Sequence, residues 1–173
     1  MDELDAALLR ELQTDARRTN RDLAQSLAVS PSTALERTRA LRDRGVIRGA
    51  RLDLDLAAIG RPVQALIAVR IRPPSREVIE RFRDWVSALP ETVGVFVVSG
   101  NEDFLIHIAT ADTDGLYSFV IDRLTERREV ADVRTSVVYE HLRTNVIEPL
   151  TATSVGRPRR PRPTTAPGTR HQR

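Results

Sequence analysis

Between Ser30 and Arg51 the chain places six arginines, at 37, 39, 42, 44, 48 and 51, against only Glu36 and Asp43, a local charge of +4. A stripe of guanidinium groups with so few acids is chemistry for phosphate. At its start Ser30, Ser32 and Thr33 supply hydroxyls for phosphate oxygens or base edges. Glu36 adds an acceptor, and Arg37, Arg39 and Arg48 add donors suited to phosphate or guanine. A second constellation is Gly100-Asn101-Glu102-Asp103. Gly100 permits a backbone conformation that other residues resist and can turn N–H groups toward a carboxylate. Glu102 and Asp103 suit an ammonium group. A zwitterion needs both partners, and this stretch supplies both. The same four residues would equally make a hairpin turn with solvated acids.

Other chemistry is thin. All 27 basic residues are Arg, so a Walker A lysine and a Schiff-base lysine are excluded. There is no Cys, which excludes disulfides, thiol catalysis and thiolate-bound zinc. His107 alternates with Ile106 and Ile108 and points away from their face, toward solvent or a subunit contact. His141 has Glu140 beside it, but adjacent residues on a strand point apart, so they make no metal pair. No catalytic residue, metal site or cofactor motif is expected. The longest apolar runs fall well short of the ~18 residues of a membrane span. The acidic start, Met1-Asp-Glu-Leu-Asp, does not resemble a targeting peptide, so a cytoplasmic location is the expectation.

The elements that position the first constellation are three helices. Leu4, Leu8 and Leu12 recur at helical spacing and predict a helix ending near Asp15. Asn20 can cap a short second helix, Arg21 to Ala28, with Leu23, Ala24 and Leu27 inward. Ser30-Pro31 starts the third, Ser at the N-cap and Pro at the first helical position, where its missing N–H costs nothing. That helix runs to Arg44, Gly45 ends it, and Ala34, Thr38 and Leu41 face inward. A short helix, a tight turn at Val29 and a second helix make a helix-turn-helix, whose second helix enters the major groove N-terminus first. A plain three-helix bundle with a solvated arginine face is the competing reading. Arg48 to Leu54 is expected to form a short strand pair or arm.

The chain then changes period. Val63–Ile71 reads as a strand and Val78 to Leu89 as an amphipathic helix packing Phe82 and Trp85. Thr92 to Val98 and Phe104 to Ala109 read as an antiparallel pair. A helix capped by Asp112 or Asp114 follows, then a strand over Val133 to Tyr139. The order βαββαβ predicts a ferredoxin-like domain, with two helices on one face of a four-stranded antiparallel sheet. The fold class is therefore α+β. The organisation expected is a winged-type helix-turn-helix domain over 1–49, a linking strand over 50–60, the ferredoxin-like domain over 61–148 and an Arg/Pro-rich tail over 149–173. Apolar residues on both faces of the sheet predict a homodimer.

The run Leu4-Asp5, Leu8-Leu9, Leu12-Gln13, Asp15-Ala16-Arg17, Leu23-Ala24, Ser30-Pro31-Ser32, Arg37, Leu41, Gly45-Val46-Ile47 and Gly60 resembles the Lrp/AsnC family of transcription regulators. Ser99-Gly100-Asn101-Glu102-Asp103-Phe104-Leu105 is similar to that family's loop between strands two and three. The resemblance covers residues 2–148. It implies a DNA-binding amino domain, a ligand domain, dimers or larger rings such as octamers, and a free amino acid bound near Gly100, Asn101, Glu102 and Asp103. It departs from the family at Ala34 and Thr38, where larger aliphatic residues are usual. Two alternatives stand beside the ligand-responsive regulator. One is an architectural DNA-binding protein without an effector. The other is an enzyme similar to sirohaem decarboxylases, which would need His107 and His141.

Residues 151–173 carry six Arg, four Pro and no acid. They are expected to lack regular structure and to act either as an inert tail or as a sequence-independent clamp on DNA phosphates.

Overall fold

The computed structural model describes residues 1–150. The expectations for residues 151–173 lie outside these described residues. The chain divides into two compact units, residues 1–50 together with 144–150, and residues 51–143.

The first unit holds α1 (Glu3–Thr14), α2 (Asn20–Ser26) and α3 (Pro31–Asp43). Leu8, Leu23, Ala24, Ala34 and Leu41 form its buried core, with Leu4, Leu9, Leu12, Leu27, Val29 and Ile47 packed around it. The cap of α2 is Thr19 rather than Asn20. Thr19 Oγ1 accepts from Asp22 N and Asp22 Oδ2 accepts from Thr19 N, a reciprocal box. A cap at Asn20 would have put Leu23 at the return position, where no such bond is possible. The turn between α2 and α3 contains Ala28 at φ 53°, a left-handed conformation held by the flanking helices. Ser30 caps α3, accepting from Thr33 N, with Pro31 behind it, as the sequence predicts. At the other end Gly45 has φ 69°, and the Val46 and Ile47 amides both return to Leu41 O.

The second unit begins with a loop. Residues 50–60, expected as a linking strand, contain no strand, and no β-wing follows α3. Asp55 explains the loop: its Oδ1 accepts from the Ala57 and Ala58 amides, and Arg61 N closes a turn onto Leu56 O. The chain then forms β1 (Val63–Ile71), α4 (Arg76–Ser87), β2 (Thr92–Val97), β3 (Phe104–Thr110), α5 (Thr113–Ser118) and β4 (Val130–Val138). Asp112 caps α5, which continues as π-helical turns over Phe119–Thr125. The sheet order is β2-β3-β1-β4, every pair antiparallel, which is the ferredoxin-like arrangement.

Strand alternation sorts this sheet into two faces. Ala65, Ile67, Val69 and Ile71 of β1 and Phe104, Ile106 and Ile108 of β3 pack against Phe82, Val86, Leu116, Phe119 and Leu124. Phe82 and Phe104 rings meet at 4.8 Å, and Arg127 lies 4.2 Å over Trp85. The opposite face carries Leu66, Ala68, Phe96, Leu105 and His107, with Phe96 58% exposed. His107 is only 8% exposed. Its Nε2 donates to Gln64 Oε1 at 3.0 Å, and its ring meets the edge of His141 at 5.5 Å.

Two predictions follow from these interiors. Thr38 Oγ1 is buried without a hydrogen-bond partner among the described residues. Thr38→Val replaces that hydroxyl with a methyl of the same shape, and should raise unfolding stability by about 1 kcal/mol. Denaturant titration checks this, and a destabilised variant would refute it. Burial, followed by the nearby charges of His141 and Arg143, lowers the His107 pKa below its ordinary value. On acidification the unfolded chain therefore binds the proton first. The His107 contribution to stability is full above the unfolded pKa of about 6.5 and declines as pH falls below it. His107→Gln should flatten that part of the stability profile; an unchanged profile would contradict the assignment.

Candidate nucleic-acid interface and effector loop

Helix α3 has three angular sectors. Ala34, Thr38 and Leu41 are buried. Ser32, Glu36, Arg39 and Asp43 recur at i, i+4, i+7 and i+11 on the opposite side and are all exposed. Between them, on the side toward α1, lie Arg37 and Arg44. Their guanidinium groups turn back onto one acid. Asp5 Oδ1 lies 3.4 Å from Arg37 Nη1, and Asp5 Oδ2 lies 3.3 Å from Arg44 Nη1, with the Asp5 side chain only 4% exposed. Arg37 Nη1 also donates to Asp2 Oδ2 at 2.7 Å. Asp2 is the cap of α1, and the Asp5 amide, together with Arg37, holds its carboxyl below the usual carboxylate range.

Arg37 and Arg39, read from the sequence as a pair of DNA contacts, are therefore separated. Arg39 stands on the open face and forms no ion pair among the described residues, whereas Arg37 braces α3 against α1. The arrangement is local: Asp2 and Asp5 sit one turn apart, and both face Arg37. At the N-terminus of α3, Ser30 Oγ lies 2.8 Å from both Ser32 Oγ and Thr33 Oγ1. Three hydroxyls thus cluster where the helix presents its unpaired amides, a set of donors suited to phosphate oxygens. Arg48 lies past the helix end, exposed.

In the second unit the Gly100–Asp103 loop joins β2 to β3. Gly100 has φ 128°, the conformation anticipated for it. The two acids are not free. Asp103 Oδ2 accepts from Ile71 N at 2.7 Å and lies 3.8 Å from Arg72, while Glu102 is ion-paired with Arg134. Arg70 Nε donates to Asn101 O at 2.7 Å. The loop is thus rimmed by three arginines that sequence reasoning missed. The register holds the signal: β1 lies between β3 and β4, with Arg70 opposite Asp132 and Ala68 opposite both Leu105 and Arg134. All three guanidinium groups are engaged, Arg70 by Asn101 O, Arg72 by Ile71 O and Asp103, and Arg134 by Glu102. At the far end of β3 a cavity of about 490 Å³ is lined by Arg61, Glu91, Thr110, Ser118, Asp122 and Arg123 among others, and it too carries both signs of charge. No spacing in the sequence announces it, because its walls come from four separate segments. Among the described residues no group of three or more acids and histidines could hold a metal ion, and no helix is long and apolar enough to cross a membrane.

If Asp5 braces α3, Asp5→Asn should lower unfolding stability by about 1–3 kcal/mol, since it strips the charge from a carboxylate shared by two arginines. Thermal and denaturant unfolding check this, and a variant as stable as the parent would refute the brace.

The model of the AsnC-type helix-turn-helix domain matches residues 1–42, and that of the Lrp/AsnC ligand binding domain matches residues 64–146. The chain is 39% identical over 143 residues to the HTH-type transcriptional regulator AldR of Mycobacterium tuberculosis, covering 83% of this chain and 80% of that protein. It is 33% identical to the leucine-responsive regulatory protein of Rhizobium meliloti, covering 83% and 92% of the two chains. Among solved structures it is similar to a transcriptional regulator of Neisseria meningitidis in complex with L-Met. That match has a TM-score of 0.77 and 30% identity, and it covers 83% of this chain and 93% of that one. Helix-turn-helix, ferredoxin-like sheet and sequence agree along the described chain, which belongs to the Lrp/AsnC family of transcriptional regulators.

Proposed function

We propose that this chain binds double-stranded DNA as a homodimer or a larger ring, and that a free amino acid changes its assembly or its DNA affinity. The observation that carries the DNA reading is the outward stripe of α3. Ser32, Glu36 and Arg39 are exposed behind a hydroxyl-lined helix N-terminus, on the second helix of a helix-turn-helix. In the major groove that stripe meets base edges, while Ser30, Thr33 and Arg48 serve phosphates. Arg37 acts from behind, by holding α3 in place.

The second unit supplies assembly and sensing. The sheet face with Leu66, Leu105 and exposed Phe96 fits a second copy of itself, since an apolar sheet face left in water is costly. For the effector, the loop at Gly100, Asn101, Glu102 and Asp103 carries both signs of charge beside its arginines, and a zwitterion would bind there by replacing pairs such as Glu102–Arg134. The relatives support an amino acid: one is named leucine-responsive and another is solved with L-Met. The protein acts by binding rather than by catalysis.

The test is the light-scattering mass of the purified chain, with and without the twenty amino acids, beside its affinity for a duplex selected from a random library. The expected result is a mass of at least two chains, with one amino acid shifting mass or affinity. A monomer that responds to none would overturn the assembly and sensing claims. Tight, unresponsive DNA binding by an oligomer would establish the architectural reading instead.

A further inference from the structure

The sheet has a second charged end. The Gly100–Asp103 loop lies at the start of β3, and the cavity of about 490 Å³ lies at its finish. Such a volume falls within the roughly 300–1,000 Å³ of small-molecule sites. Separate segments are fastened around it. Arg61 Nη1, just before β1, donates to Pro90 O, just before β2. The Ala109 amide on β3 donates to Glu91 O at 2.9 Å. Thr110 Oγ1 donates to Asp112 O at 2.9 Å, and the Gly115 amide donates to Asp112 Oδ1 at 2.7 Å. A Cβ at Gly115 would lie a tight 3.3 Å from both Asp112 Oδ1 and Thr110 Cβ, so glycine lets α5 start close against β3. Another wall comes from the π-helical turns of Phe119–Thr125, a widened geometry that is rare and recurs at functional sites.

Glu91 is the group in these walls that the fold leaves unserved. Its Oε2 is out of water and has no hydrogen-bond partner among the described residues. Its Oε1 stands 3.7 Å from Arg123 Nη2, too far for a hydrogen bond. A sheltered carboxylate bonded at neither oxygen is costly, and a ligand that brings N–H donors relieves that cost. Asp122 also lines the cavity and forms no ion pair among the described residues. Against these two acids stand Arg61 and Arg123, so the four charges cancel. A ligand that carries both kinds of group and no net charge keeps that balance. Its ammonium gives donors to Glu91 and Asp122, and its carboxylate suits the guanidinium groups. Phe119, with Ala109 and Ile59, offers an apolar wall to its side chain.

We infer that this cavity is a second small-molecule site, and that its ligand is a small zwitterion of the amino-acid class held by Glu91, Asp122, Arg61 and Arg123. The site shares no residue with the Gly100–Asp103 loop, so either can fail while the other stands. Entry is also easier here. Glu91 and Arg123 meet only at 3.7 Å, and a ligand displaces no hydrogen bond between them, whereas the loop must give up its close Glu102–Arg134 pair.

The experiment is equilibrium dialysis of the full-length protein against each of the twenty amino acids in turn, on the parent, Glu91→Gln, Arg123→Gln and Glu102→Gln. The parent should bind at least one of them. Glu91→Gln should weaken that binding roughly ten- to hundredfold, the worth of a charged hydrogen bond. Arg123 is half exposed, so Arg123→Gln probes the same site without disturbing the interior, and it should weaken binding as well. The decarboxylated amine and the N-acetyl derivative of the bound amino acid should each bind far more weakly than the amino acid. A parent that binds none of the twenty would overturn the inference, as would binding that neither Glu91→Gln nor Arg123→Gln alters. Equal binding of the N-acetyl derivative would overturn it too. Binding lost only in Glu102→Gln would defeat the cavity and leave the loop as the effector site. Binding lost only in Glu91→Gln and Arg123→Gln would support the cavity and defeat the loop.

Discussion

One buried carboxylate organises the DNA-binding unit. Asp5 sits almost wholly out of water on α1 and takes a guanidinium on each oxygen, Arg37 from the middle of α3 and Arg44 from its end. A buried charge is tolerated only when it is paired, so α3 cannot rotate or slide without stranding it. The hydrophobic contacts of Leu8, Ala34 and Leu41 bring the two helices together. The carboxylate then sets which side of α3 faces α1, and hence which side faces outward. The exposed stripe of Ser32, Glu36 and Arg39 is the consequence.

The ligand domain obeys a different constraint, the period-two alternation of its strands. The same alternation that buries Ile106 and Ile108 under the helices sends Leu105 and His107 to the other face, beside Leu66 and Phe96. That second face is apolar enough to want cover, and the one polar ring in it is satisfied by Gln64 and sheltered by His141. At the β2–β3 end, the central place of β1 brings Arg70 and Arg72 to a loop from a distant part of the sequence. The proposed assembly surface and the candidate effector loop are thus two outcomes of one strand order.

Much of this was legible in the sequence because it is written locally. Ser30-Pro31 and Gly45 bound α3, the leucine spacing marks α1, and β1 carries its own alternation. The order of strands and helices leads to the ferredoxin-like sheet. What was not legible depends on partners far along the chain. The pairing of Arg37 with Asp2 and Asp5 is one such case. Arg70 and Arg134 become neighbours of the Gly100–Asp103 loop only through the sheet register. Residues 144–148 read as the end of the ligand domain, since nothing near Glu148 points to Arg10. The expected linking strand gives way to a local turn: Asp55 closes its side chain onto the Ala57 and Ala58 amides, which competes with extended pairing.

The central claim is that the Asp5 brace divides the arginines of α3 by role, Arg39 reading the duplex and Arg37 holding the helix. Its most direct test is selection of binding sites from a randomised duplex library by the parent, Arg39→Ala and Arg37→Ala proteins. The account predicts that Arg39→Ala changes which bases are preferred, whereas Arg37→Ala keeps the parent's preference and binds every duplex more weakly. A changed preference in Arg37→Ala, with the parent's preference intact in Arg39→Ala, would contradict it.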